Sequence, residues 1–291
     1  PAQDLAVPWQ NLQAGVARAK VLAENMGLKL RIDGFMWDQG QSNFPDAVAV
    51  YKAHMGRLRV RIDELKTISG QEPEIPLLIA QIGAPIRDTG IASGPCLAQG
   101  EYVRENPPTS ALLPKYWAAI DDYATVHEPP LAHQLMGQKA GNILLDILHG
   151  GYVHLHAVSA TRKLRRVTVQ MSEPIILNTH ALADPGNYGV AFADNTGAIA
   201  ISHVMAQGNT LVIDLAEDPS GVSEQVSIGC DNAKLYLASE DPGLDADAWG
   251  LGRSYGQRSC IMAANFKHFS HTTGGLLPDV AEHQRIDVTV V

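Results

Sequence analysis

The sequence predicts an α/β domain with a parallel sheet, followed by an all-β sandwich domain. Helical and strand-like patterns alternate in residues 1–151, whereas residues 152–291 contain short strands between turn signals. The composition, 45% apolar and 18% charged, is that of a globular chain able to bury a sizeable core. We therefore predict two domains, residues 1–151 and 152–291, with a boundary near residue 152.

The first elements have β-α-β order. Residues 12–26 carry apolar side chains at helical spacing and end at Gly27, a usual helix stop. Residues 28–36 then predict a strand. Residues 45–68 show helical periodicity again, and residues 75–82 form a short apolar run typical of a buried parallel strand.

The rest of the first half predicts a loop and two helices. Residues 87–110 are rich in Gly, Pro and polar side chains, which favours a long surface loop, and helical patterns follow at 112–123 and 131–148. Two parallel strands alone do not bury both faces of a doubly wound sheet. We therefore expect this domain to be completed by an N-terminal segment or by a partner chain.

The second half has the pattern of a β-sandwich. Its short apolar runs are separated by turn signals such as Asp194-Asn195 and Gly208-Asn209. Such spacing is typical of sandwich domains. The predicted strands are residues 167–171, 175–177, 189–192, 198–201 and 210–215.

Charge and cysteine content exclude several classes of protein. The net charge of -9, with one basic cluster at residues 162–166, argues against a nucleic-acid groove or an anionic membrane surface. No run approaches the length of a membrane helix, and residues 1–4 lack the layout of a signal peptide. The three widely spaced cysteines indicate neither a disulfide scaffold nor a zinc site. We expect a soluble chain that binds a neutral or weakly charged partner.

The segment Trp37–Asn43, Trp-Asp-Gln-Gly-Gln-Ser-Asn, lies where a strand ends and a helix begins. Open α/β sheets build their sites at this position. The backbone N–H of Gly40 and the side-chain amides of Gln39 and Asn43 could stabilise an oxyanion, each contributing about 3 kcal/mol when aligned. Trp37 would provide an apolar or sugar-stacking wall. The alternative is that Gln39, Ser42 and Asn43 make the turn and cap the next helix.

The segment resembles the W-x-Q-G-E-S-D/N block of the sialate O-acetylesterase-like branch of the SGNH hydrolases, with Gln41 in place of the usual Glu. As in that family, a helix containing Tyr51 and ending near Arg61 follows, and then the apolar strand at residues 75–79. The resemblance implies part of a three-layer, flavodoxin-like α/β/α domain. It also implies a carbohydrate O-acetylesterase that needs no metal or organic cofactor.

Residues 127–137 resemble the family's pattern H-x-x-x-x-G/A-x-x-x-x-G, which begins with the catalytic histidine. The resemblance therefore implies His127 as general base. The alternative is a solvated loop residue beside Pro-Pro. The family's orienting Asp is replaced by Ala124, so Asp121, Asp122 or a backbone carbonyl would have to orient the ring. His133 lacks a third ligand at a spacing that would indicate a metal site.

The nucleophile of the family lies in an earlier G-Q-S-N block, and this chain has no such block before Trp37. The resemblance thus implies a serine supplied from outside this chain segment. Ser42, within Gly-Gln-Ser-Asn, is the less favoured candidate because the path to His127 is too short for the intervening strands.

The β-rich half resembles the C-terminal sandwich of some members of the same branch. Trp249, Tyr255 and His268 are candidate sugar contacts there, with core packing as the alternative. The leading hypothesis is an esterase acting on an acetylated carbohydrate in a secreted or extracellular setting. The alternative is a non-catalytic glycan-binding or structural module, such as a virion spike component.

Overall fold

A computed structural model describes residues 7–43, 45–82, 94–117, 119–120, 130–179, 182, 184–229, 236–237, 253–254, 259–265, 268, 277–282 and 284–291. The elements of the first half are α1 (Val7–Asn25), β1 (Phe35–Trp37), a 3-10 turn (Gln41–Asn43), α2 (Val48–Ser69), β2 (Leu77–Gln81), α3 (Gly94–Glu105), β3 (Ser110–Pro114), β4 (Ala119–Ile120) and α4 (Pro130–Leu148).

The second half consists mainly of strands. They are β5 (Ala157–Lys163), β6 (Arg166–Met171), β7 (Ile175–Leu177), β8 (Val190–Asp194), β9 (Gly197–Ile199), β10 (Ile201–Gln207), β11 (Thr210–Leu215), β12 (Gln225–Ile228), β13 (Tyr236–Leu237), β14 (Arg253–Ser254), β15 (Ile261–Ala263) and β16 (Gln284–Val290). A second 3-10 turn (Asn187–Gly189) precedes β8.

A parallel sheet with the order β1-β2-β3 forms the centre of the first half. Helix α2 connects β1 to β2, and α3 lies between β2 and β3 in the chain. The predicted β-α-β order is therefore confirmed, and it extends by one further strand. The carboxyl ends of all three strands lie at the same edge of the sheet.

Helices cover both faces of this sheet. Side chains alternate along a strand, so Leu77 and Ile79 of β2 pack with α2 and α3, whereas Leu78 packs with α4. Strand β3 alternates in the same way, with Leu112 on the first side and Leu113 on the second. The first half is thus layered as helix, sheet and helix.

Several elements of the first half differ from the sequence prediction. The strand predicted at residues 28–36 is confined to Phe35–Trp37. Helix α3 forms within the predicted loop, because Gly94 and Pro95 stand in its first turn, where a backbone N–H needs no helical partner. Strand β3 replaces the first residues of the helix predicted at 112–123, because its buried run Ala111–Leu113 pairs along β2. Tertiary pairing decides the structure of such short apolar runs.

Strands of the second half form a sheet with the order β10-β11-β6-β5-β16-β12-β8-β9. Neighbours are antiparallel except β16 and β5, which are parallel. Their inward side chains share one core cluster. The predicted β-rich second half is confirmed, while the two-layer sandwich arrangement and the boundary at residue 152 stay predictions.

The two halves share apolar packing on the α4 side of the parallel sheet. Leu182, Cys260 and Met262 belong to the same buried cluster as α4. The hydroxyl of Tyr116 donates to the carbonyl of Ala281 over 2.6 Å. The second half therefore packs on the same face of the sheet as α4.

Helix α1 is the least buried of the described helices. No side chain of α1 is buried, and Val21, Leu22 and the following Met26 are exposed. Among the described strands, β1 pairs only with β2. None of the helices in the described part has the length and apolar character needed to cross a bilayer.

Candidate functional site

The carboxyl edge of the parallel sheet carries a cluster of polar side chains. The loop Asp38–Asn43 follows β1, Ile82 follows β2 and Lys115 follows β3. Tyr51 of α2 and Gln99 of α3 reach the same edge. Ligands of open α/β sheets bind outside the carboxyl ends of the strands. The sequence prediction for the location of the Trp37 segment agrees with this geometry.

Gln99 fixes the loop after β1 to the end of β2. Its side chain is fully buried, at 0% exposure. Its Oε1 accepts from the backbone N–H of Ile82 over 2.9 Å, and its Nε2 donates to the carbonyl of Gln39 over 2.8 Å. One amide therefore satisfies two backbone groups from different strand ends.

The backbone conformation and the close neighbours at position 40 favour glycine over any other residue. Its φ of +143° is rarely adopted by other residues, and a Cβ there would lie 3.0 Å from Cδ1 of Ile82 and 3.1 Å from the hydroxyl of Tyr51. The backbone at Gly40 is buried. The close approach of loop and strand end thus explains the glycine without reference to an oxyanion.

The side chains of Gln39 and Asn43 hydrogen-bond within the loop. Nε2 of Gln39 donates to Oδ1 of Asn43, and Nδ2 of Asn43 donates to Oδ2 of Asp46 over 2.9 Å. This arrangement corresponds to the turn-forming alternative drawn from the sequence. The oxyanion role of either amide stays a prediction, and it would require these bonds to exchange for bonds to a substrate.

Tyr51 lies beneath the loop and holds it from the side of α2. Its hydroxyl is 2.7 Å from the carbonyl of Gln39 and 3.0 Å from Oε1 of the same residue, so its single proton serves one of them at a time. Burial raises the pKa of Tyr51, with the negative charges of Asp46 and Asp38 adding to the effect. The phenol therefore stays protonated and acts as a donor.

Trp37 forms one wall of the cluster. It is half-buried and packs on the core shared by α2 and α3, with its indole Nε1 3.5 Å from the Tyr51 hydroxyl. The predicted role of Trp37 in stacking on a sugar is not tested by this arrangement.

Lys115 and Asp38 connect the ends of β3 and β1. Nζ of Lys115 lies 2.9 Å from Oδ1 of Asp38, and the lysine side chain is 1% exposed. A buried ammonium needs a carboxylate or hydrogen-bond acceptors close by. Sequence reasoning missed Lys115 and Gln99. The signal for Lys115 was a lysine directly after a buried apolar run.

His127 lies outside the described residues, as do Asp121, Asp122 and Ala124. The structure describes the backbone of Ser42 but not its side chain. His133 lies on the exposed side of α4. Trp249 and Tyr255 also fall outside the described residues. The predicted catalytic roles thus remain predictions.

His268, a predicted sugar contact, is buried against α4. Its Nε2 lies 2.9 Å from Oδ2 of Asp146, and Asp279 nearby pairs with Lys139. The enclosed space beside these groups measures about 30 Å³, room for one or two water molecules. His268 therefore joins α4 to the second half, and this space is too small for a sugar. Within the described ranges, no cluster of three or more His, Cys, Asp or Glu side chains could hold a metal ion.

Comparison with known proteins gives a structural likeness only. No protein-family model and no curated protein sequence matches the chain. Among solved structures, a carbohydrate acetylesterase from Xanthomonas citri superposes with a TM-score of 0.50 and 12% identity, over 88% of this chain and 51% of that chain. This chain thus spans about half the length of that esterase. At this identity the likeness shows a shared fold.

Two S-layer structures superpose less well. The N-terminal part of the bacterial S-layer protein SbsC gives a TM-score of 0.25 at 11% identity, over 84% of this chain and 37% of that chain. The longer SbsC fragment, residues 31–844, also gives 0.25 at 11% identity, over 83% of this chain and 22% of that chain. Scores at this level do not indicate a common fold.

Proposed function

We propose that this chain is part of a carbohydrate O-acetylesterase that removes acetyl groups from a glycan, in a secreted or extracellular setting. The observation that carries the proposal is the loop Trp37–Asn43 at the carboxyl edge of a parallel sheet. The fold over most of the chain resembles that of a carbohydrate acetylesterase, which adds support. The resemblance of this loop to the SGNH block specifies the reaction class.

In the proposed reaction, a serine hydroxyl attacks the carbonyl carbon of the acetyl ester. His127 takes the proton of the hydroxyl and returns it to the departing sugar oxygen. Water then hydrolyses the acetyl-serine to acetate and regenerates the serine. Gly40, Gln39 and Asn43 line the oxyanion side, and Trp37 contacts the sugar.

The serine is proposed to come from outside this segment, on an N-terminal segment or a partner chain. Exposed Val21 and Leu22 on α1, and a β1 that pairs with β2 alone among the described strands, support such an addition. An added parallel strand would hydrogen-bond to β1, and the segment that carries this strand would cover the apolar surface of α1. The fold match to about half of a longer esterase fits the same arrangement.

The alternative is a non-catalytic glycan-binding or structural module. The hydrogen bonds from Nε2 of Gln39 to Asn43 and from Nδ2 of Asn43 to Asp46 favour it, because they engage the amide donors that an oxyanion site would use. In that case the loop would be a rigid surface feature, and the chain would bind a glycan without hydrolysing it.

The test combines a fluorophosphonate probe with turnover of p-nitrophenyl acetate by the full-length product. The proposal expects labelling of a serine outside residues 1–291 and loss of turnover in His127→Ala, with His133→Ala as the matched control that retains turnover. Labelling of Ser42, abolished in Ser42→Ala, would overturn the external nucleophile. Absence of labelling and turnover, with binding on a glycan array retained, would favour the non-catalytic module.

A further inference from the structure

A second cavity lies at the opposite edge of the parallel sheet, where β3 begins and where α3 and α4 end. Its volume is about 390 Å³, the size class of small-molecule pockets. Ser110, the first residue of β3, lines it. The length of β3 separates the cavity from the Trp37 loop by roughly 13 Å at about 3.3 Å per residue. The two sites are therefore distinct.

One cationic side chain stands in the described wall of the cavity. Arg104 of α3 lines the cavity, and no Asp or Glu is among the described lining residues. Glu282, 0% exposed, pairs with Nη1 of Arg104 and lies 3.0 Å from Nε2 of His154. The carboxylate of Glu282, which does not line the cavity, thus fixes the side chains of Arg104 and His154. A guanidinium carries five N–H donors, so pairing through Nη1 leaves others for a ligand carboxylate.

Two further groups supply hydrogen bonding. Oγ of Ser110 is buried and has no hydrogen-bond partner among the described residues. Nδ1 of His156 lies 3.0 Å from the carbonyl of His154, so Nδ1 carries the proton and Nε2 is the acceptor of the neutral ring. Burial lowers the pKa of His156, which favours that neutral form. A ligand hydroxyl would donate to Nε2.

The remaining wall is apolar or aromatic. Pro107, Pro108 and Val153 line the cavity together with a stack of rings in which the His154 and His156 centroids lie 4.5 Å apart. Tyr152 continues the stack, at 6.2 Å from His154. The apolar surface of Pro107, Pro108 and Val153, beside a few hydrogen-bonding groups, suits the C–H face of a sugar.

We propose that this cavity binds a hexuronic acid, a sugar that carries one carboxylate and several hydroxyls. The carboxylate would lie on Arg104 and Ser110, one hydroxyl would donate to Nε2 of His156, and the ring would lie against the prolines and Val153. A free acid and the terminal unit of an acidic glycan have this chemistry in common.

The test uses isothermal titration calorimetry of the full chain with glucuronate. Glucose, which lacks the carboxylate, and cyclohexanecarboxylate, which lacks the hydroxyls, should each bind at least roughly tenfold more weakly, because each loses one or more charge-assisted or neutral hydrogen bonds. Equal affinity for glucuronate and glucose would overturn the assignment, as would absence of glucuronate binding. The methyl glycoside of glucuronate distinguishes a terminal glycan unit, which it mimics, from the free acid.

Val153→Asp provides a variant that should fold, because Val153 is 51% exposed. Its new carboxylate should repel glucuronate and weaken binding roughly tenfold or more. Val158→Asp on β5 is the matched control, since Val158 is 57% exposed and is not among the lining residues. Ser110→Ala should weaken binding several-fold. Unchanged glucuronate affinity in Val153→Asp would contradict the proposal.

Discussion

Nε2 of Gln99 donates to the carbonyl of Gln39 over 2.8 Å, which connects α3 to the loop after β1. The same side chain accepts from the N–H of Ile82. The position of the candidate site loop therefore depends on a buried amide that takes no part in the proposed chemistry.

Gln99→Leu should lower the free energy of unfolding by about 2 kcal/mol, because the buried N–H of Ile82 loses its acceptor. The carbonyl of Gln39 keeps the Tyr51 hydroxyl as a donor, which limits the loss. Urea unfolding measures the difference. Gln207→Leu, at an exposed position of β10, should change stability by less than about 0.5 kcal/mol. A similar loss in both variants would show that Gln99 does not fix the loop.

Gly40→Ala should destabilise the protein by roughly 1–3 kcal/mol, since the added Cβ would meet Ile82 and Tyr51 and the backbone is strained for alanine. Gly56→Ala in α2 is the control. A Cβ at Gly56 meets no atom within 4 Å, so helix propensity alone should stabilise the protein by up to about 1 kcal/mol. The midpoint of thermal unfolding should thus fall in Gly40→Ala and rise in Gly56→Ala. A shift in the same direction in both variants would contradict the close approach of Ile82 and Tyr51 to Gly40.

Arg104→Met should cost about 3–5 kcal/mol, because it removes a cation from the fully buried carboxylate of Glu282. Arg104→Met combined with Glu282→Leu should recover much of this loss, since no uncompensated charge remains. A double-mutant cycle by chemical unfolding gives the coupling energy. Additive effects of the two substitutions would mean that the pair is not coupled.

Acid should destabilise the protein through His154. Burial lowers its pKa to about 3, with the neighbouring His156 and Arg104 adding to the effect. The carboxylate of Glu282 favours the charged ring, but Arg104 already pairs with it. An unfolded histidine titrates near 6.5, so below that pH the unfolded chain binds a proton that the folded chain does not. Stability is therefore retained above about pH 6.5 and lost as the pH falls towards 3.

The expected loss from this single group is about 2 kcal/mol between pH 7 and pH 5. Urea unfolding at the two pH values measures it, and His154→Gln should reduce the acid-dependent part by that amount. Gln207→Leu, at an exposed position of β10, should keep the pH dependence of the wild type. If His154→Gln has the same pH dependence as the wild type, the buried neutral imidazole is not the cause.

The location of the candidate site could be predicted from the sequence because it depends on local signals. Trp37 ends an apolar run, and Gly40 stands between strand and helix patterns, which places the loop at the sheet edge. Gln99 could not be predicted, since its helix lies in a segment whose Gly and Pro content resembles a loop. Lys115 was missed because β3 depends on pairing with β2 rather than on its own periodicity.

The same difference between local signals and long-range pairing applies to the fold. Helices α2 and α4 follow regular apolar spacing, and β6, β7, β8 and β11 lie between clear turn signals, so these elements were predicted. Strands β5, β12 and β16 were not predicted. The parallel pairing of β16 with β5 depends on residues far apart in the sequence. No local pattern indicates such a contact, and the sandwich arrangement was inferred from spacing alone.

Strand β16 follows the other described strands in the chain, yet it lies between β5 and β12 within their sheet. On the ribosome, the nascent chain would have to hold β5 and β12 with unpaired edges until β16 emerges. Closure of this sheet is then a late, long-range event, which slows folding and exposes strand edges to association. The yield of folded protein should therefore depend on chaperones that bind β5 and β12 while their edges are unpaired.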